Sequence, residues 1–268
     1  MKHMKNWILV CALGLLSLGF QSCEDPIEPP VVVVEDKPSV ELNFSALWDG
    51  KPLTFLSGWF EQPSTQKEYI QFFNFGMIVS KLSLVKEDGT EVLLGDGYQW
   101  IDFKKGRTQF KYEVPVGKYK SVKFMLGIDS AVNHGDPNKW GAEHPLNGNL
   151  TGMHWGWAGG YIFQAIDGNY KDSLTDKYSK GMSFHTATDV MVRSFEVPVG
   201  GALGAATFEV KDKATTSVGF KYHINRLYQG VELKKGSVSH SEGVKEMALM
   251  QKLLDNLQQY SAFEIALP

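Results

Sequence analysis

Cysteine is nearly absent from this sequence: there are 2 in 268 residues, Cys11 and Cys23. Cys11 lies in an apolar run near the start, so once that run is removed no pair remains to form a disulfide, and a modified Cys23 leaves no thiolate for a metal or a substrate. Any metal must then be held by nitrogen, oxygen or thioether. Charge of one sign is also missing. The formal net charge is −3, with no basic cluster and no long acidic block, so the composition points to no nucleic-acid partner and to no electrostatic membrane surface. The longest apolar run, Trp7 to Phe20, is short for a bilayer span. No Asp-x-Asp-x-Asp-Gly calcium loop, His-Glu-x-x-His helix, phosphate-binding glycine loop or nucleophile elbow occurs. Those absences weaken hydrolase readings, and no nucleophile, base and orienting group can be picked out for an enzyme.

The apolar run follows Lys2 and Lys5 and has the proportions of a signal peptide over residues 1–22. It ends in Ser22-Cys23, a small residue before a cysteine, so lipid attachment at Cys23 is expected in preference to a leftover free thiol. The expected location is the cell envelope, anchored by lipid to the outer membrane on its periplasmic or outer side. Residues 23–38 hold four prolines between Pro26 and Pro38 and no helical period, the pattern of an extended tether. The remaining 39–268 suit one large domain.

That domain reads as all-β, an antiparallel sandwich with long connecting loops and one short C-terminal helix. Alternating, aromatic-rich segments at 39–47, 69–75, 77–86, 98–103, 108–114 and 120–126 are separated by Gly and Asp turns such as Asp88-Gly89. A second group follows at 160–166, 190–197, 206–210 and 217–227. Residues 129–159, rich in Gly, Asn, Pro, His and Trp, read as a long loop, and long loops in compact domains are commonly functional. Apolar residues spaced by three and four over 244–259 predict an amphipathic helix, with Ser239 or Ser241 as its cap.

The densest unusual chemistry is Met153-His154-Trp155-Gly156-Trp157, with His185, His223 and His240 well apart in sequence. Glycines beside large rings let backbones approach closely. If the stretch is extended, Trp155 and Trp157 point one way and His154 the other. Taken alone, the two tryptophans read as core aromatics, His134 as a solvated loop residue and His223 as structural.

Several segments together resemble the MbnP-like copper-binding domain family. They are Phe72 to Leu84 with its aromatic pair, Val114 to Phe124, Leu126 to Ser130 with Asn133, Gly152 to Trp157 with Gly160 to Phe163, and Asp167-Gly168. His185, and His240 ahead of a helix containing Asp255-Asn256, also fall where the family places such residues. The resemblance implies a β-sandwich holding one copper with histidines, in some members joined by a kynurenine made from tryptophan by a partner di-haem enzyme. Carried over, the ligand candidates are His185, His240 and His154, with Trp155 or Trp157 as the source of any kynurenine. Met153 is the one soft donor beside them. One departure stands out: many members have a first-strand histidine where this chain has Ala46 and its neighbours. The competing reading is a metal-free surface lipoprotein that binds a glycan or peptide through its aromatic loop.

Overall fold

The computed structural model describes residues 36–63, 67–156, 159–201 and 206–267. The signal segment 1–22, Cys23 and nearly all of the tether therefore lie outside the described residues, as does Trp157. The strands are β1 (Ser39–Trp48), β2 (Lys51–Pro52), β3 (Phe60–Glu61), β4 (Tyr69–Lys86), β5 (Glu91–Leu93), β6 (Gln99–Asp102), β7 (Gln109–Glu113) and β8 (Gly117–Leu126). They continue with β9 (Ile162–Lys171), β10 (Lys180–Ala187), β11 (Arg193–Pro198), β12 (Phe208–Val210), β13 (Thr215–His223), β14 (Val238–Ser239) and β15 (Phe263–Ala266). Among the described residues no helix is long and apolar enough to cross a membrane.

Two sheets form the sandwich. One runs β15-β13-β1-β2 with β7 on β1; the other runs β11-β8-β4-β9-β10-β14, with β3, β5 and β6 on β4 and β12 on β8. Most pairs are antiparallel, but β1 lies parallel to β13 and β10 parallel to β14, so both sheets are mixed. Alternation explains the core. Val40, Leu42, Phe44, Ala46 and Trp48 of β1 point inward with Phe75, Met77 and Val79 of β4, Ile166 of β9, Met182 and Phe184 of β10 and Phe220 of β13. Each of these strands turns its other residues to the opposite face.

Several boundaries differ from the pattern reading. The segments 69–75 and 77–86 are one strand, β4, because Gly76 stays extended and register shifts at Phe72/Asn74 and Ser80/Ser83 absorb the irregularity. The stretch 217–227 is β13 followed by a 3-10 turn over Ile224–Tyr228. Strand β10 was outside the pattern reading because its alternation covers only Met182 to Thr186, after an exposed Lys180-Gly181 opening.

The long loop holds short helices, α1 (Ser130–Asn133) and α2 (Gly148–Thr151), plus a 3-10 turn at Pro137–Lys139. Asp129 and Asn147 cap the two helices by accepting from backbone N–H groups, and Gly152 ends the second in the left-handed region. The C-terminal helix α3 (Val244–Gln259) spans the predicted range and buries Met250, Leu253, Leu254 and Leu257. Its cap is Gly243, without a side-chain bond. Of the two serines offered as its cap, Ser239 bonds Glu246 O within the helix and Ser241 bonds strand β10, as described below.

Candidate metal centre

The outer face of the larger sheet is where the long loop packs. Ile78, Trp100, Phe163 and Ala165 from β4, β6 and β9 meet Ile128, Leu146, Met153 and Tyr161 from the loop, forming a second apolar cluster. The loop is pinned by buried polar groups. Asn133 Oδ1 accepts from Tyr161 N (2.8 Å), and the Tyr161 hydroxyl donates to Leu146 O (2.7 Å). Position 160 must be glycine: its φ is +67°, and a Cβ there would stand 2.6 Å from Asn133 Oδ1.

Beside this cluster the outer face turns polar. Asn74 on β4, Asp167 on β9 and Ser183 on β10 are cross-strand neighbours. Asp167 Oδ2 accepts from Asn74 Nδ2 (3.1 Å), and its Oδ1 accepts from Ser183 Oγ (2.8 Å) and pairs with His185 Nε2 (2.9 Å). Burial pushes the Asp167 carboxyl up, but hydrogen bonds from His185, Ser183 and Asn74 together with the nearby imidazole outweigh it, and its pKa ends below the ordinary 3.8. It is a carboxylate at neutral pH.

His240 arrives by register. Phe184 pairs with Ser239, the last residue of β14, in the parallel β10–β14 ladder, and the residues that follow each, His185 and His240, lie side by side. Ser241 then stitches the two segments together, accepting from Ala187 N (3.1 Å) and donating to His185 O (3.0 Å), while Ser239 Oγ donates to Glu246 O (2.9 Å). The imidazoles stack with ring centroids 5.0 Å apart and an interplanar angle of 25°. Both Nε2 atoms approach Ser183 Oγ, at 3.3 Å for His185 and 3.4 Å for His240. A hydroxyl that gives its one proton to Asp167 can only accept from them. Such a triangle is no proton relay, because a relay puts acid and serine on opposite ring nitrogens, whereas here both meet Nε2.

Trp155 completes the group: its ring centroid is 6.0 Å from each imidazole. It is half-exposed, and the chain turns immediately after it at Gly156, whose φ is +96°. The described residues 154–156 therefore leave the extended path at Gly156, with His154 bridged to Tyr161. His154 belongs to different contacts. Its Nδ1 accepts from Gly156 N (2.9 Å), its ring meets Tyr161 edge-on at 4.5 Å, and burial lowers its pKa below 6.5. Met153 is buried and shares with His185 and Asp167 the lining of a cavity of about 190 Å³. A second cavity of about 320 Å³ is lined by Trp155, His240, His134, Asp189 and Glu242.

Of the other histidines, His134 pairs with Asp189 in the lining of that second cavity, while His144 pairs with Asp96 and His223 with Glu264. Ala46 lies in the core between the sheets, while His185 occupies the outer face of its sheet, so Ala46 is not part of this cluster. Sequence reading passed over Asp167 and Ser183 as site residues. Alternation along β9 and β10 places Asp167, Ser183 and His185 on one face, but that signal exists only once β10 is recognised as a strand. Among the described residues, no three His, Cys, Asp or Glu side chains already surround a common point as metal ligands.

The family profile described as MbnP matches residues 37–244. Among solved structures, "MbnP from Methylosinus trichosporium" is 17% identical, with a TM-score of 0.46 and coverage of 71% of this chain and 77% of that one. No curated protein matches the chain.

Proposed function

Because the chain belongs to the MbnP family, which matches it over residues 37–244, we propose that it is a copper-binding protein of the cell envelope, lipid-anchored at Cys23, with His185 and His240 as its principal ligands. The observation that carries this reading is the convergence of two imidazole Nε2 atoms on one hydroxyl next to an ionised carboxylate. Two nitrogens and an oxygen suit copper by donor type, and with no cysteine beside them the centre is not of the blue-copper kind. Asp167 is the third donor, released to a metal when the His185 hydrogen bond is exchanged for coordination. Met153, across the smaller cavity, offers a thioether for the softer Cu(I), while His154 ranks last because its Nδ1 is already used.

Trp155 is the described tryptophan that borders both imidazoles. It is therefore the better-supported position for a kynurenine, whose carbonyl and amine would add donors; the oxidation would fall to a partner di-haem enzyme. The part played by this chain is binding and release of metal and not turnover.

Titrating the metal-free protein with Cu(I) under anaerobic conditions, and with Cu(II) in air, tests the reading. One equivalent should bind, more weakly as acidification lets protons compete for the imidazole nitrogens. His185→Ala and His240→Ala should each weaken binding by at least about tenfold, roughly 1.4 kcal/mol, and His223→Ala should not. Equal affinity in all four proteins sinks the assignment.

A further inference from the structure

The two cavities beside the stacked histidines differ in charge and size. His185 lines the smaller one together with Asp102, Asp167 and Lys105. His240 lines the larger, whose other ionisable residues are His134, Asp189 and Glu242. No lysine or arginine lines the larger cavity. Lys139 lies over the Trp140 ring, 4.5 Å from its centroid, and Arg193 is bonded to Val190 O, Val192 O and Asp255. A cation entering on this side meets two acidic side chains and no ammonium group. Size favours the same side. A copper ion with about six waters needs roughly 200 Å³ at ~30 Å³ per water; the larger cavity, about 320 Å³, holds that with room to move, whereas it would fill the smaller, about 190 Å³.

The larger cavity also carries a histidine prepared for a metal. Helix α1 and the turn after β10 meet at Asp189, which Thr188 brings round with a φ of +72°, a conformation that β-branched residues rarely take. Asp189 Oδ1 accepts from Asn133 Nδ2 (2.9 Å) and Oδ2 from Ser130 Oγ (2.5 Å), and both oxygens lie 3.2 Å from His134 Nε2. Burial pushes the Asp189 carboxyl up, but the hydrogen bonds from Ser130, Asn133 and His134 outweigh it and leave a carboxylate at neutral pH. A neutral imidazole that donates its Nε2 proton to Asp189 keeps its lone pair on Nδ1. Carboxylate–histidine pairs of this kind fix the ring and raise its basicity as a ligand. The His134 side chain is 51% exposed against 20% for His185, so it is the imidazole that an ion still in solvent reaches first.

We propose that copper enters and leaves the His185–His240 pair through this larger cavity, with His134 as the first side chain to bind it. This route rests on the copper-binding reading above. The ion gives up a water for His134 and then exchanges His134 for His240, with no change of oxidation state. Glu242 and the Trp155 ring attract the cation in the space between. His134 is a way-station outside the final ligand set, so it governs rates and leaves affinity alone.

Stopped-flow quenching of tryptophan fluorescence by Cu(II) measures uptake by the metal-free protein. Release into EDTA, in the range where the rate no longer depends on EDTA concentration, measures loss. His134→Ala should slow uptake and release alike, each by at least about fivefold, with Kd within about twofold of wild type. The two rates must fall together because a way-station lowers the barrier equally in both directions. Glu242→Gln, at an exposed position, should slow both by about twofold and keeps the test open if His134→Ala disturbs the loop. Lys105→Ala should change neither rate; faster uptake in that variant, with His134→Ala unchanged, would put the route through the smaller cavity. If the wild type binds one copper while His134→Ala leaves both rates alone, or speeds release without slowing uptake, the route falls and the copper reading stands. If the wild type takes up no copper, or His185→Ala binds it equally well, the copper reading falls and takes the route with it.

Discussion

The larger sheet uses the same strands to build two unlike faces. Inward, Phe75, Ile166, Phe184 and their neighbours pack against the other sheet, and a buried polar group there, the Tyr222 hydroxyl, is paired with Gln164 Oε1 at 2.8 Å. Outward, the same strands present Asn74, Gly76, Trp100, Asp102, Asp167, Ser183 and His185, with two cavities alongside. The indole nitrogen of Trp100 and the Thr188 hydroxyl go without partners there. Close packing and paired polar groups hold the sandwich together. Cavities and unpaired donors weaken the outer face as structure, and what they leave is room and chemistry for a ligand.

That contrast can be broken by mutation. The largest effect is expected inside: Phe220 is 1% exposed and contacts Phe44, Phe124 and Phe263. Phe220→Ala should therefore cost about 3–5 kcal/mol in denaturant unfolding, and a loss near 1 kcal/mol would mean that the core is far looser than its packing implies. Next comes the pin that holds the loop to the sheet. Asn133→Ala leaves Tyr161 N buried without its acceptor and frees Asp189 from Asn133 Nδ2, so about 1–3 kcal/mol should be lost. Amide exchange should accelerate in 129–162 while β1 and β13 stay protected; uniform acceleration would show that the two faces unfold as one unit. The smallest effect belongs to Trp155, which is 39% exposed. Trp155→Ala should change stability by no more than about 1 kcal/mol, in keeping with surface positions, and a loss as large as that of Phe220→Ala would move Trp155 into the core and out of any open site.

The inward face was the more legible of the two. Period-two alternation in β1, β8 and β13 and the three-and-four spacing of α3 are local patterns that burial enforces directly. Strand β10 was missed because its first two residues are exposed and the alternation that follows, Met182 to Thr186, is short. Ser239 and Ser241 were legible as hydrogen-bonding residues in a turn, and Ser239 bonds Glu246 only seven residues on, but the link from Ser241 to β10 was not legible because its partners are far away in the chain. In the same way, the Trp-Gly-Trp stretch gave away its glycines but not its direction, since one left-handed residue at Gly156 decides whether Trp155 follows a strand or leaves it.

By itself the sequence determined the class of fold, the helix at the C-terminus, the scarcity of thiolate chemistry and which residue types could bind a metal, because composition and short-range periodicity suffice for these. Only the tertiary structure decided which of those residues meet. His185 and His240 are neighbours because the parallel β10–β14 ladder ends just before them, Asp167 joins them from β9, and the smaller cavity has its floor where Gly76 and Ala165 fall in one row between Asp102 and His185. Register is set by burying the inward face of every strand at once, a constraint that acts across the whole sandwich and leaves no local trace around any one of the residues it brings together.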